Sequence, residues 1–330
     1  MVTPRVLFIG GWGHHYLREL AASGARAMTA AACSDGNDDM ARLIADGLVG
    51  ATWFDDPERA LVEFAPDIVS VGAVYAHNGR WVERALQAGA AVVSDKPVAA
   101  GREQLDRLLE IVAARPGARL ATELPARADA AFRTARALVS DGRIGDPILV
   151  TAQKSYPFGE RPGWYDDPTA YPGTELWVAT HAFDFARFVT DRRLTPVAGR
   201  SANVGLPQMP SVDDHTVTLC ELEGGGTAVV HADYLRPPTA TGHGDDRLRV
   251  VGSDGIVEVR ADRCWWLHDG EPLDVTDPSM AIDPGVLLWD TLADPAVDCT
   301  ADSLELADTV LAARHFSRAS GPRGTARPFP

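Results

Sequence analysis

The sequence predicts an α/β protein of two domains. Residues 1–124 are predicted to form a Rossmann-type, doubly wound parallel sheet, and residues 125–330 an α+β domain with an open, mostly antiparallel sheet. In the first region, continuous apolar runs alternate with helical patterns, which is typical of a parallel sheet covered on both faces. In the second, the pattern changes to polar–apolar alternation with turn residues between the runs. The 330 residues also exceed the roughly 250 to 300 that one core usually holds.

The apolar runs of the first domain predict six strands, at residues 5–10, 27–33, 51–54, 67–74, 90–94 and 118–123. Helical patterns connect them, at residues 15–24, 38–47, 57–64, 78–89 and 101–115. The first of these helices has Leu17, Leu20 and Ala21 on one face and ends at Gly24. Because βαβ crossovers are right-handed, a regular βα repeat predicts helices on both faces of one sheet.

The second domain is predicted to start with a helix (128–142), a strand (146–156), a Pro/Gly/aromatic loop (157–173) and a second helix (174–191). Period-2 segments then predict a hairpin with a Gly-rich turn (214–235) and further antiparallel strands (246–269). A terminal helix is predicted at 302–321, with Asp302 and Ser303 near its start and Gly321 at its end.

Composition excludes several function classes. A net charge of −15 argues against nucleic-acid or anionic-membrane partners, since both need clustered cations. The cysteines form no CxxC pair, and no His/Cys/Asp/Glu cluster has metal spacing, so neither a disulfide framework nor a metal site is expected. The N-terminal residues lack a signal-peptide pattern. We therefore expect a cytoplasmic protein that acts on a small molecule.

A glycine-rich turn follows the first strand in the stretch VLFIGGWGHHYLREL. Bare amides of Gly10, Gly11 and Gly13 next to a helix N-terminus predict a phosphate site, with Trp12 over it. The full GxGxxG pattern is absent, because Tyr16 stands where the third glycine would be. A purely structural turn is the alternative. The turn is, however, the first βα junction of a doubly wound sheet, where Rossmann domains bind the dinucleotide pyrophosphate.

The end of the second strand offers Ser34 and Asp35 to the adenosine ribose. An acidic residue there excludes a 2′-phosphate and favours NAD, whereas a serine tolerates NADP. The sequence thus predicts NAD or NADP as cofactor and favours NAD.

A lysine ends the fifth strand, in VVSDKPVAA. Lys96, preceded by Asp95 and followed by Pro97, is predicted at the carboxyl edge of the sheet, where open α/β folds bind ligands. Most lysines are solvated surface charges. Because the preceding strand is apolar, a lysine facing a cleft is favoured here.

With this motif the chain resembles the Gfo/Idh/MocA oxidoreductases, whose Glu-Lys-Pro signature is matched by Asp-Lys-Pro at 95–97. Four further stretches match other parts of the family in the same order. They are the segment before the motif, which contains His77, then GRIGDP (142–147), PGTELWVATHAFDFARFV and RVVGSDGIVEV. The resemblance implies an NAD(P)-binding domain, with His77 and Asp95 among its cofactor contacts. It also implies a C-terminal domain whose open sheet mediates homo-oligomerisation.

By the same resemblance, His181 matches the family's catalytic histidine. The i, i+4, i+7 spacing predicts Trp177, His181 and Asp184 on one helix face. The alternatives are a satisfied core histidine at position 181 and, for Asp184, a structural hydrogen bond or the orientation of His181. The family commonly has an aspartate where this chain has Trp177, which puts polyol specificity in doubt. Upstream, Trp164 and Tyr165 are predicted to stack on a flat substrate, and loop packing is the alternative.

These residues predict an NAD(P)-dependent oxidoreductase acting on a CH–OH group of a sugar, polyol or related small molecule. The nicotinamide is expected near Asp95 and Lys96, with Lys96 and His181 handling the hydroxyl proton. Two alternatives stay open: an NAD(P)-binding sensor without turnover, and a glycoside hydrolase that cycles its bound cofactor.

Overall fold

A six-stranded parallel sheet is the centre of the first unit of the chain in this computed structural model, which describes residues 3–36 and 38–319. Its strands are β1 (Arg5–Ile9), β2 (Thr29–Cys33), β3 (Thr52–Phe54), β4 (Ile68–Val71), β5 (Ala91–Ser94) and β6 (Leu120–Thr122). They lie in the order β3-β2-β1-β4-β5-β6, and every pairing is parallel. This is the Rossmann strand order, so the predicted fold of the first domain is confirmed.

The connecting helices follow the predicted order. They are α1 (Tyr16–Ser23), α2 (Asp38–Asp46), α3 (Pro57–Glu63), α4 (Asn78–Ala88) and α5 (Arg102–Ala114). Local sequence explains their ends: Asp56 caps α3 by accepting a hydrogen bond from the Glu58 amide, and Gly89 ends α4 with a φ of 92°. In β1, Val6 to Ile9 are all fully buried, as a strand covered on both faces requires.

The first unit also contains segments that are distant in sequence. It comprises the chain to Glu123, together with Thr169–Pro172 and Asp283–Asp308. The sequence analysis assigned residues 283–308 to the second domain, and it missed helix α8 (Pro284–Ala293) within them. Leu288 and Leu292 of α8 join the core of α1, which explains why this segment belongs to the first unit.

The free edge of β6 is closed by the start of α9 (Cys299–Ala319), whose predicted end at residue 321 lies outside the described residues. Thr300 Oγ1 accepts a hydrogen bond from Leu120 N (3.0 Å) and donates one to Ala118 O (2.9 Å). Ser303 Oγ accepts from Thr122 N (3.0 Å) and donates to Leu120 O (3.2 Å). Side-chain hydroxyls thus replace the missing neighbouring strand.

The second unit contains Leu124–Pro168, Gly173–Ile282 and the chain from Thr309. Its strands are β7 (Pro147–Ser155), β8 (Leu194–Ala202), β9 (His215–Leu222), β10 (Thr227–Asp233), β11 (Arg247–Gly252), β12 (Ile256–Arg260), β13 (Arg263–Leu267) and β14 (Leu273–Asp274). They form one sheet in the order β14-β13-β12-β11-β7-β10-β9-β8. All its pairings are antiparallel except β7 with β10, so the predicted mostly antiparallel sheet is confirmed. Helices α6 (Ala130–Ser140) and α7 (Thr180–Thr190) complete the unit.

Strand β8 was not predicted from the sequence. Its segment LTPVAGRSA contains Pro196 and Gly199, which weaken a strand pattern. The structure places β8 at the edge of the sheet, with an irregularity between Pro196 and Ala198. An edge strand with a bulge is where a proline is tolerated, because no neighbour needs its missing N–H. Within the described residues, no helix is long and apolar enough to cross a membrane.

Replacing Ser303 with Ala should lower the free energy of unfolding by ~1–3 kcal/mol, because a buried donor and acceptor of β6 lose their partner. Ser317→Ala is the control, since Ser317 is also buried on α9 but donates only to the Arg314 carbonyl of its own helix (3.1 Å). Urea denaturation measures both variants. Equal losses would show that the hydroxyl of Ser303 does not support the sheet edge.

Candidate active site

The centre of the first unit's site is a buried ion pair at the carboxyl end of β5. Asp95 is fully buried and Lys96 is 3% exposed, and Lys96 Nζ lies 2.9 Å from Asp95 Oδ1. The other carboxylate oxygen accepts the His14 backbone N–H (2.8 Å) and lies 3.0 Å from His14 Nδ1. Burial alone would raise the pKa of Asp95, but the Lys96 ammonium and His14 hold that pKa well below its usual range. Asp95 is therefore an ionised carboxylate.

The glycine turn is packed tightly against the rest of the unit. Gly10 has a φ of +80°, a conformation that favours glycine. A Cβ on Gly11 would lie 2.3 Å from the Met40 backbone, and one on Gly13 would lie 2.7 Å from the Cα of Gly72. All three glycines are thus required by the chain's own packing. A purely structural turn is therefore enough to explain why glycine stands at these positions.

A neutral histidine anchors the same turn. The His15 side chain is buried, with Nδ1 2.7 Å from Ser70 Oγ and Nε2 3.1 Å from Gly10 O. Burial lowers the pKa of His15 to about 4, so the ring is uncharged at neutral pH. It connects the end of β1 to β4 without adding charge to the edge.

The geometry of this edge fits a dinucleotide. The chain reverses its direction of winding between β1 and β4, which is the topological switch point where such folds bind ligands. Gly10 and Gly72 follow these two strands, so no side chain projects from those two positions. Helix α1 begins beside them at Tyr16, and His15 makes no side-chain cap there. A side-chain-free backbone and a helix N-terminus are what a pyrophosphate requires.

Ser34 and Asp35 directly follow β2, as predicted. Ser34 is buried, and its Oγ accepts a hydrogen bond from Gly36 N at 2.9 Å. Asp35 Oδ2 accepts from Val74 N at 2.6 Å, which ties the end of β2 to the loop after β4. Asp35 has a structural contact in addition to its predicted contact with the ribose.

His77 closes a short 3₁₀ turn, Tyr75–His77, and is exposed. The next residue, Asn78, contacts the backbone of the Asp95–Lys96 ion pair. Asn78 is fully buried, and its amide donates to the carbonyls of Asp95 (3.1 Å) and Lys96 (3.2 Å). Asn78 thereby fixes the backbone that carries both charges, a role that the sequence analysis missed.

A second carboxyl at this edge was also missed. Glu123 follows β6, is 1% exposed, and accepts the Tyr16 N–H with Oε1 at 3.2 Å. Burial and the nearby charge of Asp95 raise the pKa of Glu123 well above its usual range. The signal for it was its position: it ends the strand beside the one that ends in Asp95 and Lys96.

The second unit carries the predicted substrate helix with an unexpected local geometry. Residues Glu175–Ala179 form a π-helical turn before α7, so Trp177 is not on a regular α-helix with His181. The wider turn changes the angle per residue at Trp177, and the predicted common face of Trp177, His181 and Asp184 stays a prediction. Trp177 is 5% exposed and is hydrogen bonded to Tyr156. Such π turns occur frequently at functional sites.

His181 and Asp184 lie on α7 with the α-helical spacing. His181 is 8% exposed, and its ring stacks on Phe185 at 6.5 Å. Asp184 is 1% exposed, and its Oδ1 accepts from Arg127 Nε (2.9 Å) and Nη2 (2.5 Å). Asp184 is thus paired with Arg127, and its predicted contact with substrate stays a prediction.

The aromatic loop forms a cluster within the second unit. Tyr165 is 2% exposed, and its ring lies 4.7 Å from Trp164 and 6.1 Å from Phe158. The Arg161 guanidinium lies 5.3 Å from the Tyr165 ring, within reach of a cation–π interaction. Loop packing, the alternative for Tyr165, accounts for its burial, whereas Trp164 is only partly buried.

The structure thus places the glycine turn, Ser34, Asp35, Asp95 and Lys96 directly after strands β1, β2 and β5 of the first sheet. Trp177 lies on the π turn and His181 and Asp184 lie on α7 of the second unit. Trp12, next to Gly11 and Gly13, is partly buried. No group of three or more His, Cys, Asp or Glu residues that could hold a metal ion occurs in the part of the chain that the structure describes.

Comparison with known proteins agrees with this geometry. Residues 5–122 match the family model described as "Oxidoreductase family, NAD-binding Rossmann fold". Residues 132–258 match the model of the GFO/IDH/MocA C-terminal domain. The two matches correspond to the two sheets, in the same order.

The curated relatives have low sequence identity to this chain, but the matches extend over most of both chains. The chain is 24% identical over 270 residues to the scyllo-inositol 2-dehydrogenase (NAD(+)) of Bacillus subtilis, covering 78% of this chain and 73% of the relative. It is 23% identical over 258 residues to the D-xylose 1-dehydrogenase [NADP(+)] of Haloarcula marismortui, covering 76% and 70%.

A solved structure shows the same fold over nearly the full length. An inositol dehydrogenase homolog from Azotobacter vinelandii, complexed with NADH and myo-inositol, superposes with a TM-score of 0.74 at 18% identity. The match covers 97% of each chain. Together, the two family models and the shared architecture show that the chain belongs to the GFO/IDH/MocA family of NAD(P)-dependent oxidoreductases.

Proposed function

We propose that this oxidoreductase removes a hydride from a secondary alcohol carbon of a sugar, polyol or related small molecule. Hydride transfer is the chemistry that the cofactor supplies. The chain's own residues bind and orient the substrate and move its hydroxyl proton. In this proposal Lys96 exchanges that proton, and His181 on α7 is the second catalytic residue.

The observation that carries the proposal is the buried Lys96–Asp95 pair at the carboxyl edge of the sheet. The chain has 31 lysine and arginine residues, and only Lys96 and Lys154 are lysines. An arginine at position 96 would also pair with Asp95, but it cannot give up its proton. A buried lysine here therefore favours proton transfer over a purely structural ion pair.

The relatives support this substrate class. The names of two of them specify an inositol and a xylose dehydrogenase, and the superposed homolog was crystallised with myo-inositol. We propose a hydroxylated ring or chain as substrate here too. The large ring of Trp177, placed on the π turn, favours a substrate with an apolar or flat face.

One assay series separates the proposal from its alternatives. Cofactor fluorescence titration establishes binding, and a panel of polyols and sugars then tests for net formation of NADH. Net NADH supports the dehydrogenase. Cleavage of a glycoside without net NADH would indicate the redox-cycling hydrolase, and binding without turnover on any compound of the panel would favour the sensor.

We also propose that the outer face of the second sheet joins copies of this chain. Leu149, Val217 and Leu219 lie on that face and are 41%, 43% and 41% exposed. Exposed apolar side chains on one sheet face favour a protein contact. The cytoplasmic location and the lack of nucleic-acid and membrane partners stay predictions from the sequence.

NAD should bind more tightly than NADP, and Asp35→Asn should narrow the difference by about tenfold, because a negative charge near the 2′-phosphate is removed. Asparagine keeps an oxygen for the Val74 N–H. Asp56→Asn, which retains a cap for α3, is the control and should leave the ratio unchanged. Affinities from fluorescence titration test this, and tighter binding of NADP by the unmodified protein would contradict it.

Lys96→Met should lower kcat by at least ~10², because the side chain keeps its stem and loses its exchangeable proton. Cofactor affinity should weaken only modestly. Lys154→Met is a matched control, since Lys154 pairs with Asp246 at 2.7 Å in the second unit. Near-normal turnover of Lys96→Met in steady-state kinetics would show that Lys96 is a bystander.

Trp177→Asp should shift substrate preference toward more hydroxylated sugars, because an apolar ring is replaced by a hydrogen-bond acceptor. His181→Asn should instead lower turnover on every substrate and leave cofactor binding intact. The measurement is kcat/KM across a polyol series, with Trp177→Phe as the control that keeps a ring. An unchanged ranking in Trp177→Asp would place the ring in the core of the unit, away from substrate.

A further inference from the structure

Glu123 is a buried carboxyl that the proposed chemistry does not use. Ser94 at the end of β5 pairs with Thr122 at the end of β6, so Asp95 and Glu123 leave neighbouring strands at the same level. The Glu123 N–H donates to Ser94 O at 2.8 Å, which fixes its backbone beside the ion pair. Two carboxyls, one lysine and the start of α1 therefore share this edge.

The two oxygens of Glu123 have different surroundings. Oε1 accepts the Tyr16 N–H at 3.2 Å. Oε2 is buried and has no hydrogen-bond partner among residues 3–36 and 38–319. Since Oε2 has essentially no exposed surface, a bound molecule would act on it through charge and not through contact.

The charged and titratable groups facing Glu123 come from three elements. Asp95 and Lys96 lie at the end of β5, and Tyr16 and Glu19 lie on α1. His14, in the glycine turn, contacts Asp95. Burial and the charge of Asp95 favour the neutral acid, while the Tyr16 N–H and Lys96 favour the carboxylate. The first two outweigh the others, so the pKa of Glu123 is raised, and the carboxylate is the form that an added positive charge would stabilise.

We propose that Glu123 gives up its proton when the oxidised cofactor binds and keeps it when the reduced cofactor binds. The proposal rests on the proposed function and on the nicotinamide position expected from the sequence, near Asp95 and Lys96. The oxidised ring carries a fixed positive charge there, and the reduced ring carries none. The pyrophosphate is common to both forms, so its effect cancels in their comparison.

The proton balance is simple. On binding of NAD⁺, the O–H bond of Glu123 breaks, its electron pair stays on the carboxylate and the proton passes to the buffer. With the uncharged, reduced cofactor bound, the carboxylate would take one proton back. Glu123 is neither oxidised nor reduced, and no further reactant is required.

Isothermal titration calorimetry with NAD⁺ and with NADH tests this, in phosphate and in Tris buffer at the same pH. The dependence of the binding enthalpy on the buffer's ionisation enthalpy gives the number of protons released. NAD⁺ should release about 0.5 to 1 proton more than NADH. By linkage, the affinity for NAD⁺ relative to NADH should then rise with pH with the same slope.

Two variants locate the effect. Glu123→Gln is a neutral isostere of the resting acid, so it should bind both cofactor forms and abolish the difference in proton release. Glu19→Gln removes the exposed carboxylate that also faces this site, and it should retain the difference. Persistence of the difference in Glu123→Gln would overturn the assignment to Glu123.

The unmodified protein decides the matter even where Glu123→Gln does not fold. Equal proton release by NAD⁺ and NADH, with no pH dependence of their affinity ratio, would overturn the role of Glu123 alone and leave the proposed function standing. Failure of both forms to bind would overturn the proposed function and this inference together.

Discussion

The ionised carboxylate of Asp95, buried at the edge of the parallel sheet, constrains the whole of the first unit's site. Transfer of such a charge out of water is very unfavourable unless it is paired and hydrogen bonded. Lys96 and His14 supply those partners, and a side chain at Gly13 would collide with the carboxylate, since its Cβ would lie 2.8 Å from Oδ2. Loss of one partner of a buried pair typically costs ~3–5 kcal/mol. The glycine turn, the end of β5 and Lys96 therefore stabilise one another.

The two buried carboxyls at this edge have different surroundings. A cation and N–H donors lower the pKa of Asp95, whereas burial and a neighbouring negative charge raise the pKa of Glu123. Environments that separate the proton affinities of neighbouring groups are typical of sites that move protons. Lys96 is paired with Asp95 at this edge and is the one lysine in the sequence of the first unit.

The buried carboxylate of the second unit's helix α7 has an arginine as its partner. Asp184 is buried and is paired with Arg127, a permanent cation, at 2.5 Å. The π turn before it shifts Trp177 out of the regular helix and toward Tyr156. Nearly all of α7 is buried, so its amphipathic pattern cannot distinguish a substrate face from a packing face.

The sequence by itself determined the doubly wound parallel first sheet, the mostly antiparallel second sheet, and the positions of Lys96 and the glycine turn at strand ends. These follow from local periodicity and short motifs, which depend on neighbouring residues only. The tertiary structure alone decided the return of residues 283–308 to the first unit, the edge position of β8 and the π turn at Trp177. It also displaced the pKa values of Glu123 and Asp95 in opposite directions. Those properties depend on burial and on partners that are distant in sequence, such as His14 for Asp95 and Tyr16 for Glu123, and no local pattern encodes them.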